Sequence, residues 1–281
     1  MTVPRLTVVT PSLNQATYLE RTLRSVLDQD YPELEYIVID GGSSDGSVDI
    51  LRQYGSRLAY WVSEPDNGQS HAINKGVARA SGDVIAYINS DDYYLPGAFH
   101  AVLPLFSDPD VWWVAGICRY LRSDGTLETI WRPELPAGPR GAWIRAAWAV
   151  PQPSSFWRRG IFDEFGLFRE DLHYVLDTAF ELRVAVGGRL PTIVDRELSV
   201  RWLHEDAKSA DWSRFDRELE MVARQLLQTL PRHDRALSWL YAAASYAVST
   251  VRRKPELGPK RRGAQAEDAA VFPGPRRDGR A

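Results

Sequence analysis

Four short apolar runs in the first 107 residues each end in a polar turn, and helical periodicity follows each turn. Residues 6–10, 36–39, 58–63 and 84–88 are too short for typical helices and rich in β-branched residues, so they read as buried strands. After the first, Leu19, Leu23, Val26 and Leu27 recur on one helix face until Tyr31-Pro32 stops the helix. A second, short helix carries Val48, Leu51 and Tyr54. A third runs to Ala80 with Ser70 as its candidate cap, and a fourth covers about residues 96–106. Strand and helix alternating four times predict a Rossmann-like α/β fold, a mostly parallel sheet with helices on its faces. In such a sheet the loops after the strands share one edge, and ligands bind there.

Those loops hold the chemistry. They contribute Pro11, Ser12 and Asn14; Asp40 and Asp45; Glu64, Asp66, Asn67, Gly68 and Gln69; and Asp91 and Asp92, with Lys75 and Arg79 on the neighbouring helix. Taken singly, each turn reads as ordinary Asp/Asn/Gly turn chemistry. Together at one edge they suit a nucleoside diphosphate gripped by ribose, base edge and a bridging divalent cation, since an acidic site holds that anion only through a metal. The pair Asp91-Asp92 has two readings: two acids that share a cation, or an N-cap for the helix near Pro96. Neither G-x-G-x-x-G nor G-x-x-x-x-G-K-[ST] follows the first strand, which argues against a classical dinucleotide enzyme or P-loop NTPase.

Beyond Pro109 the pattern changes. Residues 111–116, 117–121 and 127–131 read as strands, with Ser123-Asp124-Gly125-Thr126 as a hairpin turn. Residues 133–141 read as a loop, 144–148 as helical, 152–159 as extended and 161–166 as a short helix. A longer helix covers 174–186, one or two strands 190–202, and amphipathic helices 212–230 and 234–253. From Pro255 the composition is that of a disordered tail. The expected organisation is a first half (1–107) and a second half (108–210) of one domain, then C-terminal helices (211–254) and a basic tail (255–281).

Charge and cysteine use narrow the class. The net charge of −3 gives no reason to expect nucleic acid, although residues 252–281 carry nine Lys/Arg against four Asp/Glu. A single cysteine, Cys118, excludes an internal disulfide and a cysteine-built zinc site. No apolar leader and no run near ~18 apolar residues is present, so the expected location is cytoplasmic. Residues 237–248 followed by Arg252-Arg253-Lys254 have two readings: a helix packed on protein, or peripheral contact with an anionic membrane face.

Thr10-Pro11-Ser12-Leu13-Asn14, Ile39-Asp40-Gly41-Gly42-Ser43-Ser44-Asp45-Gly46-Ser47, Ser63-Glu64-Pro65-Asp66-Asn67-Gly68-Gln69-Ser70 and Ile88-Asn89-Ser90-Asp91-Asp92 resemble, in order and spacing, the signature of inverting family-2 glycosyltransferases with the GT-A fold. The similarity spans about residues 5–210. It implies transfer of a sugar from a nucleotide sugar (UDP-, GDP- or dTDP-linked) to a saccharide or lipid-linked acceptor, with Mn²⁺ or Mg²⁺, in cell-envelope or exopolysaccharide synthesis. By the resemblance, Pro11, Asn14 and Gln69 border the nucleotide, Asp40 contacts base or ribose, Asp91 faces ribose and donor sugar, and Asp92 holds the metal. The amide of Asn89 replaces the family's first acid. Lys75 approaches the donor, or else lies on a solvated helix face. Asp177 matches the catalytic base, although Leu176 stands where many members carry an acid. The other readings of Asp177 are a helix cap, and Glu181 one turn later as the base. Arg201-Trp202-Leu203-His204-Glu205-Asp206-Ala207-Lys208-Ser209 resembles a late R-x-x-H-x-x-x-x-S element, in which His204 is either a metal or phosphate ligand or structural. Trp157 either stacks on a sugar or belongs to the core. A sugar-1-phosphate nucleotidyltransferase and a non-catalytic sugar-binding homologue remain as alternatives.

Overall fold

The computed structural model describes residues 3–136, 140–145, 149–204, 208 and 212–235. The expected helix 234–253 and the basic tail lie almost wholly outside the described residues, as do half of the expected helix 144–148 and most of the segment after His204.

The four opening strands form as expected: β1 (Leu6–Ser12), β2 (Leu34–Asp40), β3 (Tyr60–Ser63) and β4 (Val84–Tyr87), all parallel. Between them run α1 (Ala16–Leu27), α2 (Ser47–Tyr54) and α3 (Gln69–Arg79). In register, Ser12 lies beside Asp40 and Asp40 beside Ser63, so three strand ends finish level. After β4 come β5 (Tyr93–Tyr94), α4 (Ala98–Val102), β6 (Trp113–Arg122), β7 (Leu127–Trp131), β8 (Ser155–Arg158), α5 (Gly160–Phe165), α6 (Leu176–Val186), β9 (Thr192–Leu203) and α7 (Trp212–Thr229). Among the described residues they make one nine-stranded sheet, β3-β2-β1-β4-β8-β6-β9-β5, with β7 on β6. The strand order reverses between β1 and β4, the switch point at which open α/β sheets bind ligands.

Strand alternation sends successive side chains to two cores. Val8, Val84, Val114 and Phe156 face α1, α2 and α4. Val9, Ile85, Trp113 and Trp157 face α3, α5, α6 and α7. Trp157 is 1% exposed and stands among Tyr87, Phe162, Phe168 and Phe180, so it is a core residue. Gly76 lets α3 approach the sheet closely, because a Cβ there would sit 2.3 Å from Val9 Cγ1.

The remaining departures from expectation have local causes. The helix at 96–106 is α4 followed by a 3-10 turn at Leu103–Ser107, where Pro104 has no N–H to continue an α-helix. The two strands at 111–121 are one, β6. Gly116 marks a register shift against β9 rather than a break, since a Cβ would meet Leu198 Cδ1 at 2.4 Å. Residues Gln152–Ser154 form a 3-10 turn before the extended β8. Ser70 does not cap α3, and its hydroxyl donates instead to Leu172 O at 3.3 Å. Among the described residues no helix is long and apolar enough to cross a membrane.

Candidate active site

The ends of β1 and β2 are tied together by short polar side chains. Asn14 has φ 52°, in the left-handed region that Asn tolerates, and its Oδ1 accepts Ser44 N–H at 2.9 Å. Its own N–H donates to Ser43 Oγ at 2.7 Å. Asp40 is fully buried and accepts from Ser43 N, Ser43 Oγ and Ser63 Oγ at 2.6–2.8 Å and from Gly42 N at 3.2 Å. Four donors occupy its carboxylate, so Asp40 holds the glycine turn. Asp45 accepts Ala16 N–H at 2.8 Å and closes the start of α1, which has no side-chain cap of its own. Pro11 is buried in β1 beside Ile39.

The Asp91-Asp92 turn lies at the switch point. Asp92 does not cap a helix: α4 starts later, behind Gly97. Asp92 is 2% exposed; its Oδ1 accepts Trp202 N–H from β9 at 3.0 Å, and Oδ2 lies 3.4 Å from Asn89 Nδ2. Burial, then the charge of Asp91, push the Asp92 carboxyl up to about 7, against the opposing pull of Arg201, Trp202 N–H and Asn89. Asp91 is more open, and its Oδ2 lies 3.1 Å from His204 Nε2. Beneath the turn, Thr22 Oγ1 donates to the carbonyls of Ser90 and Asp92 at 2.9 and 2.6 Å. Arg21 donates to Asp91 O at 3.2 Å from between the rings of Tyr93 and Trp202. Gln69 donates to Asn89 Oδ1 at 2.7 Å and accepts from Lys208 Nζ at 3.0 Å. Lys75 is paired with Glu64 and lines a cleft between α3 and edge strand β3, with Tyr60, Val62 and Arg79.

These groups suit a cation that a diphosphate helps to hold. Asp91 and His204 offer an oxygen and a nitrogen close enough to face one ion, and Mg²⁺-type sites need only one or two protein ligands beside substrate phosphates. They do not suit an all-protein cage: among the described residues no three His, Cys, Asp or Glu side chains gather for one.

A second cleft is lined by Tyr120, Trp131, Gln152, Asp177, Glu181 and Arg201, and by nearby residues. Asp177 stands in the first turn of α6, its Oδ1 accepting Thr178 N–H at 2.7 Å, and burial raises its pKa. Glu181 is 6% exposed; burial, then the charge of Asp177, push its carboxyl well above the usual range. Trp131 and Tyr120 stack at 5.6 Å between centroids. Burial pulls the Arg201 pKa down, but Tyr120, Asp92 and Asp177 more than reverse this and hold the guanidinium charged. Arg201 lines the Asp177 cleft, and its charge also acts on Asp92, so it stands between the cleft and the Asp91-Asp92 turn. Sequence reading placed Arg201 only within a motif string. Arg201 follows Leu198-Ser199-Val200 near the end of β9, a setting that has no meaning until β9 is laid beside β6.

Comparison with known proteins bears on the family and the fold. The glycosyl transferase family 2 profile matches residues 7–165. An uncharacterized glycosyltransferase of Mycobacterium tuberculosis is 33% identical over 197 residues, 65% of this chain and 70% of its own. The putative teichuronic acid biosynthesis glycosyltransferase TuaG of Bacillus subtilis is 42% identical over 92 residues, 32% of this chain and 36% of its own. Among solved structures, S. aureus TarS 1-349 in complex with UDP-GlcNAc superposes with a TM-score of 0.66 at 16% identity, covering 82% of this chain and 69% of that one. A Pyrobaculum calidifontis mannosyltransferase in complex with GDP-Man and Mn²⁺ gives 0.57 at 18%, covering 88% and 81%. The profile match spans more than half the sequence and the sheet is that of the GT-A glycosyltransferases, so this chain belongs to glycosyl transferase family 2.

Proposed function

We propose that the protein is an inverting, metal-dependent glycosyltransferase. It moves a sugar from a nucleoside-diphosphate sugar to a hydroxyl of a saccharide or lipid-linked acceptor, in cell-envelope polysaccharide synthesis on the cytoplasmic side. The observation that carries this reading is Arg201, which joins an acidic, His-flanked turn to a cleft with a carboxylate of raised pKa. The similarity to TuaG supports the cell-envelope setting. The nucleotide-sugar complexes of the fold relatives support the donor class.

The divalent cation, Mn²⁺ or Mg²⁺, supplies charge neutralisation for the departing diphosphate. Asp91 and His204 would hold it; Asp92, expected from the sequence to do so, is buried and accepts Trp202 N–H from β9. Asp92 keeps the turn registered on Trp202 and shares the field of Arg201. Pro11 and the loop of Asn14 form the floor for the nucleotide. Asp40 acts by holding that loop, and Gln69 by holding Asn89. Lys75 has no part in the donor site.

In the transfer step an acceptor hydroxyl oxygen attacks the anomeric carbon from the face opposite the diphosphate. The new C–O bond forms as the old one breaks, its electron pair leaves with the diphosphate oxygen, and the hydroxyl proton passes to Asp177. One displacement inverts the anomeric configuration. Asp177 suits the base because its raised pKa makes it a better proton acceptor than an exposed aspartate, whereas Glu181 is more deeply buried and its ionised form is disfavoured by the Asp177 charge. Asp177→Asn is expected to keep nucleotide binding and to lose transfer by a factor of about 10²–10⁴. Transfer at the wild-type rate would move the base elsewhere, first to Glu181.

A further inference from the structure

Helix α6 carries Asp177 in its first turn but has no N-cap of its own, because Val175 stands at that position. Helix N-termini leave several N–H groups unsatisfied, and these attract negative charge. Here a carboxylate arrives from another element. Glu218 of α7 accepts His173 N–H at 3.1 and 3.2 Å, Tyr174 N–H at 2.8 Å and Val175 N–H at 3.2 Å. Three consecutive backbone donors thus close on one side chain more than forty residues away in sequence. The helix is held in place by Phe215, 5.3 Å from the Tyr174 ring, and by Arg214, which donates to Tyr174 Oη at 2.8 Å.

We propose that Glu218 is a positioning residue for Asp177: by clamping the N–H groups of residues 173–175, just before α6, it fixes where the first turn of that helix holds the Asp177 carboxylate, whose Oδ1 accepts Thr178 N–H, against the acceptor cleft. The inference rests on Asp177 being the base. The charged and titratable groups facing Asp177 are Arg201 from β9, Glu181 from α6, Tyr87 from β4 and Lys208. Of these, Arg201 and Lys208 favour the charged form of Asp177, and the charges of Asp177 and Glu181 oppose each other. Loss of the Glu218 charge removes a nearby negative group and frees three donors for another anion. Both changes stabilise ionised Asp177 and weaken it as a base.

The test uses the full chain with Glu218→Gln and Glu218→Asp. In Glu218→Gln the Asp177 carboxyl, followed by NMR titration, is expected to shift down by about half a unit to one unit. The acid limb of nucleoside-diphosphate release from UDP-GlcNAc or GDP-mannose with Mn²⁺ moves the same way, and kcat falls about tenfold. Glu218→Asp, which keeps the charge, restores much of both. An unchanged Asp177 titration and unchanged kcat in folded Glu218→Gln overturn the proposal. So does loss of the folded state in both variants, which makes Glu218 a folding residue. Asp177→Asn run alongside separates the two readings: undiminished release there overturns the base assignment itself, whatever Glu218→Gln does.

Discussion

The two sides of the cleft are built differently. On the donor side, Asn14, Ser43, Ser44, Asp40, Asp45 and Ser47 bond to one another across two adjacent strand ends, so the first two loops organise themselves. On the acceptor side, Asp177 depends on partners from distant elements: Arg201 from β9, Glu218 from α7 and the buried Glu181. The floor there is stitched by long-range bonds, Asn74 to Phe168 and Glu170, and Ser154 to Ser199.

The largest effect on this contrast is expected from Asp40→Asn. Its carboxylate takes four donors, and an amide nitrogen placed among them leaves at least one buried donor unmatched. A loss of about 2–4 kcal/mol is expected, seen as a melting temperature lower by about 10 °C. A change below a degree would show that the donor loops are not self-organised through Asp40. A smaller effect of opposite sign is expected from Glu181→Gln. The folded protein keeps the Glu181 proton above the pH at which the unfolded chain releases it, near 4.3. Between those limits the native state binds more protons, so wild-type stability falls as pH rises. The uncharged variant escapes that loss: melting temperatures are expected to be equal near pH 4 and higher for the variant at pH 7.5. A variant less stable at both pH values would make Glu181 a charged partner in the cleft.

This difference also sets what the sequence could tell. The alternation of β1 to β4 with α1 to α3 is local periodicity, and the loop acids follow each strand directly, so the fold and the gathering of those loops at one sheet edge were legible. The bond from Asp92 to Trp202 N–H spans 110 residues, and no local signal distinguishes it from a cap. The expectation that Asp92 holds the metal rested on motif position, whereas the structure puts His204 beside Asp91. Lys75 has the right type and neighbourhood for a phosphate contact, but its helix face turns it to Glu64. Glu218 sits on a helix read only as amphipathic, and its role exists only once α7 docks on the start of α6.

The strand-edge site is tested most directly by nucleotide binding followed as a thermal shift, with UDP, GDP and dTDP in the presence and absence of Mn²⁺, on wild type, Asp91→Ala and Lys75→Ala. At about 100 times Kd the wild type should gain about 2.7 kcal/mol with one nucleotide and only when Mn²⁺ is present. Asp91→Ala should lose that gain and Lys75→Ala should keep it. Equal stabilisation without metal, or an undiminished shift in Asp91→Ala, would contradict a cation-bridged diphosphate at this turn.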